Sequence, residues 1–273
     1  MTEWITKRMP GPPAIAFDEM GEGPPVVFLH GVGGNRTNWH PQLPVFAARF
    51  RAVAWDSRGY GDSDDYDGPL DFREFAHDLA RLLDHLGVVR AHIVGNSMGG
   101  RIAQDFYEAY PLRVATLVLY DTFSGHEPGR SPAERKDYLE IRKKPLLEGK
   151  LPADIAPLVA RNVVSPNCMP AAYEMMVRSI AALHRDSYLK TLDAMINYPR
   201  KTELEKIDVP VLLLYGADDT LTPPAFGRAM AARIRHAEFV EVSGAGHMVN
   251  VEMPHRFNEI VLDFLNRYRF RAF

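Results

Sequence analysis

Five short runs of this chain consist almost wholly of aliphatic and aromatic residues: 26–30, 52–56, 92–95, 116–120 and 210–215. Runs this short and this uniformly apolar suit strands buried on both faces, the usual condition of a parallel sheet. Helical patterns lie between them. Phe72, Phe75, Ala76, Leu79, Leu82, Leu83 and Leu86 recur at helical spacing, and Gly87 supplies a stop. Phe257, Ile260, Val261, Phe264, Leu265 and Tyr268 repeat the pattern near the C-terminus. Residues 237–242 form a further strand with polar interruptions, closer to a sheet edge. Strand–helix alternation of this kind predicts an α/β fold: a mostly parallel, doubly wound sheet with helices on both faces.

The rhythm stops between residues 122 and 200, which hold no convincing buried strand but many prolines, among them Pro132, Pro145, Pro152, Pro157 and Pro170. Residues 122–200 therefore read as a helical cap inserted into a core made of residues 1–121 and 201–273. The 273 residues suffice for such an arrangement. Within the insert, Ala172, Met175, Met176, Ser179, Ile180 and Leu183 form one apolar stripe. Packing onto the core is its expected use. The methionines would also suit a pocket wall, because thioether side chains adapt to ligand shape.

The most informative segment is His92-Ile93-Val94-Gly95-Asn96-Ser97-Met98-Gly99-Gly100. A buried strand runs into a G-x-S-x-G pattern, and a helix follows with Ile102, Ala103, Phe106 and Tyr110 on its apolar face until Pro111 stops it. Such a turn must be sharp, and Gly95 and Gly99 leave room for backbones to approach. Ser97 is then held exposed at the top of the sheet, as a nucleophile would be. The N–H of Met98, at the positive end of the helix, points at the same spot and suits a developing oxyanion.

A hydroxyl needs a base. His247 stands in Ser243-Gly244-Ala245-Gly246-His247-Met248, directly after the strand 237–242, and so at the same sheet edge as Ser97. His30 ends a strand and reads as a packing or hydrogen-bonding residue. His126, His184, His236 and His255 read as surface residues, and His77 and His85 lie on the polar side of a helix. An orienting carboxylate is expected at the end of 210–215, where Asp219 is favoured, Asp218 is second, and Pro223 and Pro224 fix the loop. Asp121, after 116–120, is the other candidate. The order Ser97, Asp219, His247 differs from those of the chymotrypsin and subtilisin triads. The N–H of Val32, in the glycine-rich turn after strand 26–30, is the natural second oxyanion donor.

A formal net charge of −3 gives no long-range field that would gather nucleic acid or an anionic membrane. The single cysteine, Cys168, excludes an intrachain disulfide and has no metal-ligand spacing around it, which fits a reducing cytoplasm. The N-terminal residues lack the pattern of a secretory signal, and no apolar run is long enough to span a membrane. The expected partner is a small-molecule substrate. No cofactor or metal is called for, and the chain is expected as a monomer or homo-oligomer.

Taken together, these segments resemble the α/β-hydrolase superfamily. The likeness runs through His30-Gly31-Val32-Gly33, Asp56-Ser57-Arg58-Gly59-Tyr60-Gly61-Asp62-Ser63, Gly95-Asn96-Ser97-Met98-Gly99-Gly100, Gly216-Ala217-Asp218-Asp219 and Gly246-His247. In that family the acid stands three residues after the glycine and four before a proline, which implies Asp219. Loop 56–63 is implied to be structural. Haloalkane dehalogenases and epoxide hydrolases carry aspartate where Ser97 stands, so the serine turns expectation away from both. Two serine subfamilies resemble the chain more closely. Trp39 and the residues after Ser97 are similar to 3-oxoadipate enol-lactonases. Asn96, before the nucleophile, is shared with the hydrolases that split a C–C bond in meta-cleavage products. The latter carry a Gly-Pro-Gly oxyanion loop and a tryptophan after the histidine; here the loop is absent and Met248 stands in that place. The resemblance thus implies a serine hydrolase of a small ester or lactone acting through an acyl-enzyme. C–C hydrolysis and a non-catalytic small-molecule receptor are the alternatives. Asn96 and Trp39 become candidate substrate contacts. Arg161, in the insert, is a candidate for a substrate carboxylate, although a cap arginine is more often a surface residue.

Overall fold

The computed structural model describes residues 5–125, 131–198 and 202–269. His126 lies outside the described residues. The five apolar runs form β3 (Pro25–Leu29), β4 (Arg51–Trp55), β5 (Ala91–Asn96), β6 (Val114–Tyr120) and β7 (Val211–Gly216). With β1 (Lys7–Met9), β2 (Ile15–Met20) and β8 (Ala237–Val242) they make one sheet among the described residues, in the order β1-β2-β4-β3-β5-β6-β7-β8. From β4 to β8 every pairing is parallel; β1 and β2 are antiparallel. The polar-interrupted strand 237–242 is the edge strand β8, as its pattern predicts.

Alternate residues of the central strands feed two cores. Val27, Leu29, Val53, Ile93, Leu117 and Leu213 face one side. There they pack on α2 (Glu74–His85) and α3 (Met98–Ala109). Val26, Phe28, Ala52, Val94, Val118 and Leu212 face the other. That side is covered by α1 (Leu43–Phe46) and α10 (Pro254–Arg267). The sheet is therefore doubly wound, and its strands are apolar on both faces because neither face meets water. Each helix predicted from spacing is present, with Phe75, Leu79, Leu82 and Leu83 fully buried on α2.

Strands β1 and β2 have no counterpart in the sequence reading. β2 places Asp18 and Glu19 where an apolar pattern would be sought. Asp18 is buried because it serves as a counter-ion: Arg36 Nε lies 3.1 Å from Asp18 Oδ1, and His40 Nε2 lies 2.7 Å from Asp18 Oδ2. Arg36 also pairs with Asp56 and Asp62. The Asp56 carboxylate accepts the N–H groups of Arg36 (2.7 Å) and Asp62 (2.8 Å), which ties loop 56–63 to the segment after β3. Loop 56–63 is structural in this sense.

Between β6 and β7 lie α4 (Pro132–Leu147), α5 (Pro152–Val163), α6 (Pro170–Ala181) and α7 (Arg185–Ile196). The stripe read from the sequence falls on α6 and the residues just after it. Met176 and Ile180 are buried, and the Ser179 hydroxyl donates to the Gly33 carbonyl at 3.1 Å. His184, read as a surface residue, is half-buried and bonds Asp65 Oδ1 and the Gly61 carbonyl, both at 2.9 Å. The chain is completed by α8 (Pro224–Ala231) and α9 (Val249–Glu252). Among the described residues, no helix is long and apolar enough to cross a membrane. Nor, among them, does any group of three or more His, Cys, Asp or Glu residues fit a metal ion.

Replacing Arg36 by alanine leaves Asp18 and Asp56 buried without their shared cation. A loss of about 3–5 kcal/mol is expected, because breaking a buried ion pair strands a charge. Urea unfolding checks it, and a loss below about 1 kcal/mol would show that the cluster is not what holds loop 56–63.

Candidate active site

In parallel strands the C-terminal ends share one rim, and loops that follow β3, β5, β7 and β8 meet there. Ser97 lies between β5 and α3 with φ 51° and ψ −112°, in a region that L-residues avoid. Its backbone is fixed from both sides. The Ser97 N–H donates to the Tyr120 carbonyl at 3.1 Å, and the Thr122 hydroxyl donates to the Ser97 carbonyl at 2.7 Å. The flanking glycines are required by contact. A Cβ on Gly95 would stand 2.4 Å from the Gly99 carbonyl oxygen, and one on Gly99 would stand 2.2 Å from that of Leu29.

Two backbone segments adjoin the serine. Met98 opens α3, so its N–H has no acceptor within the helix. Residues 31–34 form a turn closed by the Gly34 N–H on the Gly31 carbonyl at 2.9 Å, a bond that leaves out the N–H of Val32. A Cβ on Gly31 would come within 3.3 Å of the Ser97 Cβ, so this turn lies against the serine. Val32, Ser97 and His247 border the same cavity.

Asp219 and His247 form a buried pair, with Nδ1 2.8 Å from Oδ2. The Asp219 carboxylate also accepts the N–H groups of Leu221 (2.8 Å) and Thr222 (3.0 Å) and the Thr222 hydroxyl (2.6 Å). Burial alone would raise this carboxyl, but the His247 ring and the bonds from His247 and Thr222 outweigh it and hold it at about 2. A carboxylate on Nδ1 places the ring proton there and leaves Nε2 as the basic nitrogen. The hydrogen bonds of the described residues do not include one from the Ser97 hydroxyl to the imidazole. In unliganded sites that bond is often long and tightens with substrate bound.

The competing acids are placed elsewhere. Asp218 Oδ2 accepts the Ser165 hydroxyl at 3.1 Å. Asp121 Oδ1 accepts the Gly216 N–H at 2.9 Å. Burial, then the charge of Asp219, hold the Asp121 carboxyl well above the usual range. His30 is a hydrogen-bonding residue: Ser57 N–H donates to its Nε2 at 3.0 Å, so its Nδ1 donates to the Gly31 carbonyl at 2.8 Å. Complete burial lowers its pKa to about 4 and keeps the ring neutral.

The candidate substrate contacts divide. Asn96 borders the cavity, and its Nδ2 donates to the His247 carbonyl at 3.2 Å. Trp39 packs in the core against Phe28, with ring centroids 4.8 Å apart, and does not line the cavity. Arg161 is exposed and sits over the Tyr173 ring at 4.3 Å, away from the cavity lining.

Two residues of the site escaped the sequence reading. Thr222 bridges Asp219 and the ring, with its hydroxyl 3.1 Å from His247 Nδ1. An aspartate three residues before a threonine in a turn is the pattern that signals such a bond. Glu252, buried on α9, accepts the N–H groups of Ser165 (2.7 Å), Gly246 (3.1 Å) and Met248 (3.1 Å), and so brackets the histidine. Nothing in the local sequence marks it among the other carboxylates. The His247 N–H itself donates to the Val163 carbonyl at the end of α5, at 3.0 Å. The cavity occupies about 110 Å³, several times what one water requires, and is walled by Met176, Ile180, Tyr188 and Leu192 from the inserted helices.

Residues 24–254 match a protein family described as alpha/beta hydrolase fold. A putative carbamate hydrolase RutD of Azorhizobium caulinodans is 28% identical over 254 residues, covering 92% of this chain and 94% of the relative. The 3-oxoadipate enol-lactonase 2 of Acinetobacter baylyi is 27% identical over 260 residues, covering 93% and 94%. A solved structure of a thermophilic esterase from Thermogutta terrifontis superposes with a TM-score of 0.85 at 27% identity, over 98% of this chain and all of that one (100%).

The depressed Asp219 carboxyl carries a pH signature. Folding favours its ionised form, so the stabilisation is complete above the unfolded pKa of 3.8 and is lost as pH falls through about 2. The shift corresponds to on the order of 2 kcal/mol. In urea unfolding between pH 5 and pH 2, the stability gap between wild type and Asp219→Asn should shrink by about that amount. A gap that does not change with pH would contradict a carboxylate held in this way.

Proposed function

This chain belongs to the α/β-hydrolase fold family, and on that premise we propose that it is a serine hydrolase of small esters or lactones acting through an acyl-enzyme at Ser97. The observation that carries the reading is the buried Asp219–His247 pair, 2.8 Å long, at the wall of the cavity that Ser97 also borders. An imidazole whose Nδ1 proton is held by an ionised carboxylate is poised to take a second proton on Nε2.

In the first half-reaction the Ser97 hydroxyl oxygen attacks the substrate carbonyl while His247 Nε2 takes its proton. Asp219 stabilises the imidazolium that forms. The carbonyl oxygen becomes an oxyanion, which the N–H groups of Val32 and Met98 receive; each such donor is worth about 10²–10³ in turnover. His247 returns the proton to the leaving alkoxide, the ester C–O bond breaks, and an acyl-serine remains. Water then attacks the acyl carbon with His247 again as base. Collapse of that second oxyanion releases the acid and restores the Ser97 hydroxyl. The strained backbone of Ser97 serves this sequence by holding the side chain ready above the sheet.

The resemblance of Asn96 to C–C hydrolases has a simpler account here, since its amide is bonded to the His247 carbonyl. The family relationship also supports hydrolysis through the names of its members, which include a carbamate hydrolase and an enol-lactonase.

Turnover of p-nitrophenyl acetate should fall by on the order of 10³-fold or more in Ser97→Ala. A fluorophosphonate probe should label the wild type at Ser97. Equal rates for the two proteins would overturn the assignment of the nucleophile, and a wild type that neither reacts with the probe nor turns over any ester would favour a receptor.

A further inference from the structure

Resting on the reading of His247 as the base, we propose that Glu252 is a positioning residue for the hydrolysis: its buried carboxylate grips the main chain on both sides of the histidine, and its charge supports the imidazolium that forms as Ser97 gives up its proton. Glu252 ends α9 and is 5% exposed. Its Oε1 accepts the N–H groups of Gly246 and Met248, each at 3.1 Å. Its Oε2 accepts that of Ser165 at 2.7 Å and shares that of Gly246 at 3.1 Å.

Two of these three donors flank His247, and the third belongs to the inserted helices' segment. The pieces touch directly. A Cβ on Gly246 would stand 2.5 Å from the Ser165 nitrogen and 3.1 Å from Glu252 Oε1. The histidine's own N–H donates to the Val163 carbonyl at 3.0 Å, and its carbonyl accepts Asn96 Nδ2 at 3.2 Å. Asp219 thus orients the ring, while these bonds fix the main chain from which the ring extends. Misplacing a reacting group by about 1 Å can cost on the order of 10²-fold in rate.

The charge of Glu252 has a second use. Both of its oxygens receive N–H groups, an arrangement that suits the acceptor-only, ionised carboxylate. Burial pushes the carboxyl above its ordinary value, and the three N–H groups, then the charge of His247, work against that. Among the described residues no lysine or arginine forms an ion pair with it. A buried carboxylate without a cation is costly, and the imidazolium is the cation that the reaction itself creates beside it. The other titratable groups around the pair are acids and a thiol. Asp219 bonds the ring, Asp121 feels the charge of both Asp219 and Glu252, Asp218 accepts the Ser165 hydroxyl, and Cys168 feels the charge of Glu252 and of the exposed Arg161. Removing the Glu252 charge disfavours the protonated ring, so the ring stays a free base to lower pH.

Two measurements test the proposal. The first is the pH dependence of kcat/KM for p-nitrophenyl acetate, whose acid limb reports the base of the free enzyme. Glu252→Gln keeps the shape of the side chain and removes its charge. Its acid limb should move to lower pH by about half a pH unit or more, and its kcat should fall by on the order of tenfold with KM changed much less. Glu252→Asp keeps the charge and shortens the reach, so its limb should lie nearer that of wild type while kcat still falls. The second is NMR titration of the isotope-labelled imidazole of His247, which reads proton uptake without turnover. Its midpoint should drop in Glu252→Gln by the same amount as the limb. A limb and a midpoint that stay where they are in Glu252→Gln would overturn the proposal, as would a kcat unaltered in both variants. Should wild type turn over no ester while the midpoint still drops in Glu252→Gln, the serine-hydrolase reading fails and the electrostatic tie between Glu252 and His247 stands. Should Glu252→Gln fail to fold, Glu252→Asp decides: a fall in kcat of about tenfold at nearly constant KM supports the grip, and an unaltered kcat overturns it.

Discussion

The contact on which the site is built is a backbone contact. Gly99 lies so close to the carbonyl of Leu29 that a single added carbon would stand 2.2 Å from its oxygen. That approach brings the start of α3 against the end of β3. It sets the serine turn beside the turn that follows β3. The same crowding holds Ser97 in its unfavourable backbone geometry, because neighbouring strands leave no relaxed alternative. Packing of the most ordinary kind, main chain on main chain, thus positions the serine turn.

Electrostatics then sorts residues that look equivalent. Asp121 and Asp219 end adjacent strands, and both are buried. Asp219 accepts four bonds, including one from His247, and is held ionised. Asp121 accepts backbone N–H groups of Gly216 and Val249, but burial together with the charge of Asp219 pushes its carboxyl upward. Like charges held near each other cannot both be cheap to ionise, so the network selects one acid.

How much of this could be read from the residues depended on whether the signal was local. The central strands were legible because each is apolar on both faces, and the serine turn because strand, glycines and helix follow one another directly. Asp219 was favoured over Asp218 and Asp121, and the structure brings Asp219 to His247. By contrast, β1 and β2 were hidden, since Asp18 belongs to a buried ion cluster whose other members lie 18 to 44 residues away in the chain. Trp39 and Arg161 show the opposite error. A large aromatic and a cation each suggest a ligand when seen in isolation, but one fills the core and the other rests on Tyr173 at the surface.

The histidine's main chain is anchored outside the sheet. Its N–H is received by Val163, and Glu252 clasps Ser165 together with the residues on either side of the histidine. Val163 and Ser165 belong to the inserted segment, which also supplies much of the cavity wall. The segment that walls the cavity is thus mechanically joined to His247 beside it. Under the proposed mechanism, substrate choice and proton transfer are then not separate modules: exchanging the insert for another of different contour would shift the imidazole along with the cavity wall.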